Sequence, residues 1–289
     1  MSASASLIPV LRRRPRTPAV IPGALPAFGL TLCWVGLLVL LPLAALAARP
    51  WEHGGAWLMH MLGNRRTLAA LRLSFGSALA AAAVCTVLGL LLAWVLERVR
   101  PPGWRLLDAL IDLPFALPTA VAGITLTTLY ARNGWLGAPL ARIGIPVSGT
   151  QLGIVVALIF VGLPFVVRTV LPVLRDLPHE LEEAAATLGA RRGQIAARVL
   201  LPALFPALAT GFGLAFARGV GEYGSVIFIA GNKPMSSEIA PLLIVIHLSE
   251  DDYAGAAGIG LLMLLTAAAC LLLVTLLRRR LPAMRGVAR

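Results

Sequence analysis

Apolar and polar positions are distributed along the chain in long blocks. Six apolar stretches, approximately Ala27 to Ala48, Leu68 to Leu96, Leu107 to Tyr130, Gln151 to Val173, Leu204 to Ala230 and Ala254 to Leu277, each reach the roughly 20 residues a helix needs to cross a hydrocarbon core. The pattern predicts an all-α integral membrane protein with six transmembrane helices and both termini on one side. Between the fourth and fifth stretches lies EAAATLGARRGQIAARVLLP, Glu183 to Pro202. A polar, arginine-bearing island in such a profile must lie outside the bilayer while its flanks cross it.

Basic residues set the orientation. With the N-terminus inside, sixteen of them fall in cytoplasmic segments: Arg12, Arg13, Arg14 and Arg16; Arg98, Arg100 and Arg105; Arg175, Arg191, Arg192 and Arg198; Arg278, Arg279, Arg280, Arg285 and Arg289. Seven fall outside: Arg49, Arg65, Arg66, Arg72, Arg132, Arg142 and Lys233. The excess favours N-in and C-in and puts the island in the cytoplasm. The expected organisation is a cytoplasmic tail over 1–26, a six-helix domain over 27–277 and a second cytoplasmic tail over 278–289.

Composition agrees with the profile. The chain is 58% hydrophobic and 13% charged, with a mean hydropathy of +0.86, which leaves too little polar surface for a soluble domain of this length. The formal charge of +12 does not indicate nucleic acid, because the arginines flank apolar runs instead of clustering on a soluble face. Cys33, Cys85 and Cys270 lie inside apolar runs without ligand spacing, so neither a disulfide framework nor a metal site is expected. The histidines are scattered. An Ala45-Leu46-Ala47 pattern resembles a signal-peptidase site, but the run before it is about twice the usual length of a signal-peptide core and reads as an uncleaved first span.

Pro114 and Pro118 are expected to break the third helix near its start, and Pro164 and Pro172 fall in the fourth. Broken helices are tolerated inside a bundle, where neighbours satisfy the freed carbonyls. GVGEYG at Gly219 to Gly224 has the GxGxxG spacing but no strand before it, so a dinucleotide site is excluded. Its small residues, with Gly149 and Gly153, are read as sites of close helix approach. In the fifth stretch, Arg218 and Glu222 stand four residues apart, on one helix face. Each charge costs about 2.5 to 3.5 kcal/mol near the centre of a span, which nearly cancels what the apolar residues around them return. Both should face the bundle interior or a hydrated cavity, either along the translocation path or gate of an anion, or as a structural ion pair.

In the island, Glu180, Glu182 and Glu183 followed by alanines suit the first turns of a short helix. Gly189 permits a turn, and a helical pattern resumes over Gln194 to Leu201, which Pro202 is expected to end. Here the residues carry a resemblance. Glu183-Ala184-Ala185, Gly189, Val199 and Leu201-Pro202, at their spacing, resemble the EAA loop of bacterial ABC-importer permeases, with Val199 where isoleucine is more usual. LPFALPTAVAGITL from Leu113, NGWLG from Asn133, PFVVRTVLPVL from Pro164, GEYGSVIFIAGN from Gly221, SEIAPLLIVI from Ser237 and DDYAGA from Asp251 look like the T-type membrane subunit of sulfate/thiosulfate importers. Tyr223 replaces a phenylalanine often found there. Molybdate and tungstate permeases share the fold and the pattern from Ala217 to Glu222.

The resemblance implies a non-catalytic permease subunit in a bacterial inner membrane, carrying the oxyanion from a periplasmic sulfate-binding protein into the cytoplasm. It implies a loop in which Glu183, Ala184, Ala185, Gly189, Leu201 and Pro202 couple to an ATPase, a second homologous permease subunit and two ATP-binding subunits. No cofactor is expected on this chain. GxxxxGK[ST] is absent, so ATP-Mg belongs to the partner ATPase. A proton-coupled secondary transporter with Glu222 as relay is the competing class, but it leaves the cytoplasmic motif unexplained and usually calls for an inverted repeat.

Overall fold

A computed structural model describes residues 24–53 and 63–280, and every regular element among them is helical. The expected tails over 1–26 and 278–289 lie almost wholly outside the described residues, as do Arg12, Arg13, Arg14, Arg16, Arg285, Arg289 and His60. The chain divides into two compact units between Ala45 and Leu46. The first contains α1 (Ala24–Val35), a π-turn at Gly36–Leu40 and the start of α2 (Leu41–Ala48). With the rest of α2 and the turn after it, these elements belong to one apolar stretch over Pro26–Trp51, 26 residues long.

The second unit is built on three long helices. α3 (Arg65–Trp94) starts where the Asn64 side chain accepts the amide of Arg66 at 2.9 Å, satisfying one of the donors a helix start leaves free. It widens into a π-turn over Val95–Val99 and stops at Arg100, whose φ of 45° is left-handed and which precedes two prolines. α8 (Gln151–Asp176) is the second long helix. α11 (Leu201–Val220) is the third, continuous with the preceding helical turns from Arg192. At 1.5 Å per residue α8 is about 39 Å long, enough for a hydrocarbon core of about 30 Å.

These three helices pack on one another through small residues. Val166 of α8 lies between Gly89 of α3 and Gly211 of α11: a Cβ at Gly89 would come within 2.6 Å of its side chain, and one at Gly211 within 3.0 Å of its Cα. Further along the same seam Gly162 faces Cys85 and Ala215, and Gly219 faces Ala78. Gly153 also permits an approach, by Ile229, and Gly149, in a turn at φ +79°, lies with its backbone against Gly231 and donates its amide to the Ile229 carbonyl at 2.8 Å. Without a hydrophobic driving force between helices in lipid, backbone approach of this kind supplies the packing energy.

α3 and α8 run in the same direction. At one end Glu97 of the π-turn pairs with Arg175 of α8 at 3.1 Å. At the other, Arg66 pairs with Glu238 at 2.7 Å and Gln151 donates to the Ser236 carbonyl at 2.7 Å, so both N-termini meet one short segment. The chain must return between them. It does so in pieces: α4 (Trp104–Ile111), α5 (Leu113–Ala116) and α6 (Thr119–Tyr130), followed by α7 (Gly137–Arg142). The break is the one Pro114 and Pro118 predict. Leu117, ahead of Pro118, is extended at ψ 136°, as the proline ring requires of its predecessor.

Two expectations about the fifth stretch change. The helix does not run to Ala230 but ends at Val220, and the chain turns through Glu222 into the single turn α12 (Val226–Ile229). Gly219, Gly221 and Gly224 weaken the helix there, and Glu222 bonds to the Ser225 amide instead of extending the helix face. Pro202 does not end a helix either. The backbone widens into a π-turn at Ala196–Leu200, with the Leu201 amide bonded to the Ala196 carbonyl, and the helix continues past the proline. The widened turn precedes the residue that has no N–H to give. α13 (Ala240–Ser249) and α14 (Tyr253–Arg280) complete the unit. Among the described residues, five helices are long and apolar enough to cross a membrane, and Thr119–Tyr130 and Ala240–Ser249 are shorter apolar helices.

Candidate functional site

The polar island folds as a helix, a glycine turn and a second helix. α9 (Glu180–Thr187) begins just after Pro178, with Glu180, Glu182 and Glu183 in its first turn, where the helix dipole favours negative charge. Its end is a Schellman turn: the Ala190 amide bonds to the Ala185 carbonyl at 3.0 Å and the Gly189 amide to the Ala186 carbonyl at 2.9 Å. Gly189 takes φ +82° with nothing near its missing side chain, so the left-handed backbone, not crowding, requires glycine. The next helix, α10 (Arg192–Ile195), starts where the Gln194 side chain accepts the Arg191 amide at 2.8 Å, and it leads through the π-turn into α11. α9 is therefore one rigid turn away from a long span.

Glu183, Ala184, Gly189, Leu201 and Pro202 are exposed, and Ala185 is half-buried. Leu188, at the apex of the turn, is 88% exposed, and Leu181 is exposed on α9. Both leave apolar side chains uncovered on an otherwise polar loop.

The other side of α9 is held by residues the sequence analysis did not single out. Arg98, in the π-turn that ends α3, lies 2.9 Å from Glu182 and 2.6 Å from Nε2 of His179. Beside it, the buried carboxylate of Glu97 is shared by Arg100 at 2.6 Å and Arg175 at 3.1 Å. These contacts tie the ends of α3 and α8 to the start of α9. A lone Glu97 among the arginines of LERVR was the available signal.

Arg218 and Glu222 meet in an ion pair of 2.5 Å. Glu222 is buried, and its second oxygen accepts both the amide and the hydroxyl of Ser225 at 3.0 Å. Its carboxylate thus holds the turn that leads into α12 as well as pairing with Arg218. Arg218 is the more exposed partner. The two do not share a helix face, since Glu222 lies beyond the helix end.

A second charge cluster within a span was missed. Arg168, in the middle of α8, donates to Asp112 through Nε at 2.8 Å and through a terminal nitrogen at 2.6 Å, and to Asp108 at 2.6 Å. The bidentate geometry is the strong form of such a pair. It pins the broken helix pieces α4 and α5 against α8. The arginine of PFVVRTVLPVL was visible in the sequence, whereas its partners depend on how α4 folds back. Among the described residues no group of three His, Cys, Asp or Glu side chains converges as a metal site would need.

The protein is similar to known transport proteins over most of its length. It is 48% identical over 245 residues to the sulfate transport system permease protein CysT of Escherichia coli K12, covering 85% of this chain and 88% of that one. It is 47% identical over 238 residues to a probable sulfate transport system permease protein of Nephroselmis olivacea, covering 82% and 84%. A crystal structure of a bacterial ABC transporter that imports the acidic polysaccharide alginate shares the fold, with a TM-score of 0.74 at 17% identity over 89% of this chain and 96% of that chain. Residues 86–283 match the family described as binding-protein-dependent transport system inner membrane component, and the chain belongs to that family.

Proposed function

We infer that this chain is one membrane-spanning half of an ATP-driven importer that moves sulfate or thiosulfate from a periplasmic binding protein into the cytoplasm of a bacterium. The observation that carries the reading is the closed helix–turn–helix over 180–200. It is exposed on the side bearing Leu188, braced on the other by Arg98, and continuous with α11. Such an element transmits displacement in both directions. The substrate is taken from the sulfate permeases that the chain resembles over more than four-fifths of its length.

In this reading the chain crosses the inner membrane six times, N-in and C-in. The third crossing is the broken α4–α6 segment, a reading that the parallel run of α3 and α8 supports. α9 meets one of two ATP-binding subunits, with Glu183, Ala184, Ala185, Gly189, Leu201 and Pro202 shaping the contact. A second homologous permease completes the path. ATP-Mg is held by the ATPase, and this chain performs no catalysis. Arg218 and Glu222 lie along the path or its gate, where pairing keeps a bare arginine from trapping the anion.

The test is uptake of radiolabelled sulfate by a sulfate-transport-deficient bacterium expressing this chain with its partner permease, ATPase and binding protein. Uptake is expected to require both the binding protein and ATP hydrolysis. Uptake of molybdate alone would overturn the substrate, and uptake independent of the ATPase would overturn the mechanism.

A further inference from the structure

At the end of the bundle opposite α9, a groove of about 510 Å³ runs between the first half of α3 and the start of α8. Arg72 and Ser77 line it from α3, Gln151 and Leu152 from α8, and Met235 and Ser236 from the loop before α13. Arg72 is exposed and makes no ion pair or hydrogen bond among the described residues. Ser77 is 94% buried, yet its hydroxyl makes no hydrogen bond among them either. α8 contributes an uncapped start: the hydroxyl of Thr150, which would ordinarily accept a helix amide, donates instead to the carbonyls of Pro146 and Val147. The first amides of a 26-residue helix, those of Gln151 and Leu152 in the groove wall, therefore have no side-chain acceptor, and the next, of Gly153, bonds to the Thr150 carbonyl at 3.1 Å.

All three features favour an anion. A guanidinium supplies charge and planar donors, a hydroxyl supplies one more donor, and a free helix N-terminus adds the positive end of its dipole. None of the residues lining the groove is acidic. The nearby carboxylate of Glu238 is occupied by both nitrogens of Arg66, at 2.8 and 2.7 Å. The rim is also held in shape. Met235 and Asn232 adopt left-handed φ of 62° and 51°, a cost that surrounding contacts must support, and the Asn232 side chain is bonded to the Ile227 carbonyl while the Lys233 amide is bonded to Ser237.

We propose that this groove is a transient binding site for a tetrahedral divalent oxyanion, with Arg72 as the charged contact and Ser77 and the start of α8 as neutral donors. The proposal rests on the importer reading and assigns the chain's first contact with the anion after its release. One arginine with neutral donors binds weakly, which suits a site that must also let go.

The test uses the complete importer, with partner permease, ATPase and binding protein, reconstituted in proteoliposomes. Radiolabelled sulfate uptake and binding-protein-stimulated ATP hydrolysis are measured side by side. Arg72→Gln is expected to lower uptake at least about tenfold while stimulated hydrolysis stays within about twofold of wild type, and Arg72→Lys to retain most of the uptake. Ser77→Ala, which removes one buried oxygen, is expected to lower uptake a few-fold in the same uncoupled way. Wild-type uptake in both Arg72→Gln and Ser77→Ala would overturn the site, and so would a parallel fall of uptake and hydrolysis, which would mark Arg72 as a docking contact. Failure of the wild-type complex to carry sulfate would instead overturn the importer reading on which the site depends.

Discussion

Arg98 and Glu182 stand 2.9 Å apart, one ending the long helix α3 and the other in the first turn of α9. The contact joins two segments more than eighty residues apart in sequence. Arg98 is also largely buried, with its Nε lacking a partner among the described residues, so Glu182 balances a charge that water reaches poorly, and His179 Nε2 lies within hydrogen-bond reach at 2.6 Å. In the importer reading this is what keeps α9 at a fixed angle to the bundle. Arg98→Ala should leave insertion intact but reduce binding-protein-stimulated ATP hydrolysis and uptake together by about tenfold, equivalent to roughly 1.4 kcal/mol of coupling. ATPase assays on the purified complex measure it, and an unchanged rate would remove Arg98 from the transmission.

Gly189 makes a separable prediction. A side chain there faces no atoms but must adopt φ +82°, which costs an L-residue about 1 to 2 kcal/mol. Gly189→Asn should therefore be tolerated and Gly189→Val should weaken the turn. Gly189→Pro also removes the amide bonded to Ala186 and should abolish co-purification of the ATPase. Glu183→Lys should do the same by reversing charge at the helix start. Pull-down of the ATPase with the membrane fraction intact reads all four.

For Arg218 and Glu222 the geometry distinguishes charge from packing. Glu222→Gln keeps a side chain able to bond Ser225 but leaves Arg218 unpaired, while Arg218→Gln leaves a buried carboxylate held only by Ser225. Breaking a buried pair is the costly change. Arg218→Gln should lower the melting temperature in detergent more than the double variant Arg218→Gln/Glu222→Gln does. Uptake measured on the same proteins tests the path: normal kinetics with lowered stability would leave the pair a structural element only.

The helix seam predicts a rescue. Gly89→Ala places a methyl group against Val166, and overpacking of this kind costs about 1 to 3 kcal/mol. Val166→Ala in the same chain should recover part of that loss, because it removes the Cγ1 that would lie 2.6 Å from the new methyl group, while the Cβ at 2.8 Å stays. Thermal unfolding of the four proteins in a double-mutant cycle gives the coupling.

Arg168 should be the most sensitive of the charges inside the spans. Arg168→Met removes the partner of both Asp108 and Asp112 and is expected to prevent stable assembly, whereas Asp108→Asn should be milder because the two-point contact with Asp112 remains. Yield of detergent-stable protein ranks them.

The sequence by itself determined the membrane class, the place of the long apolar helices apart from the end of the fifth stretch, and the existence of the polar loop with its glycine turn. These follow from block hydrophobicity and from local backbone preference, which act over neighbouring residues. It also exposed the broken third helix, because proline acts on its own turn. Tertiary structure decided the rest. That Arg168 finds Asp108 and Asp112 depends on where a distant segment returns. That Glu222 bonds Ser225 instead of lying on the helix face, and that the helix passes Pro202 through a widened turn, are local geometries that hydrophobic patterning does not encode. The polar loop was legible as a unit, but its brace was not: Glu182 and Arg98 are ordinary surface charges until the folding of α3 against α8 brings them within 2.9 Å.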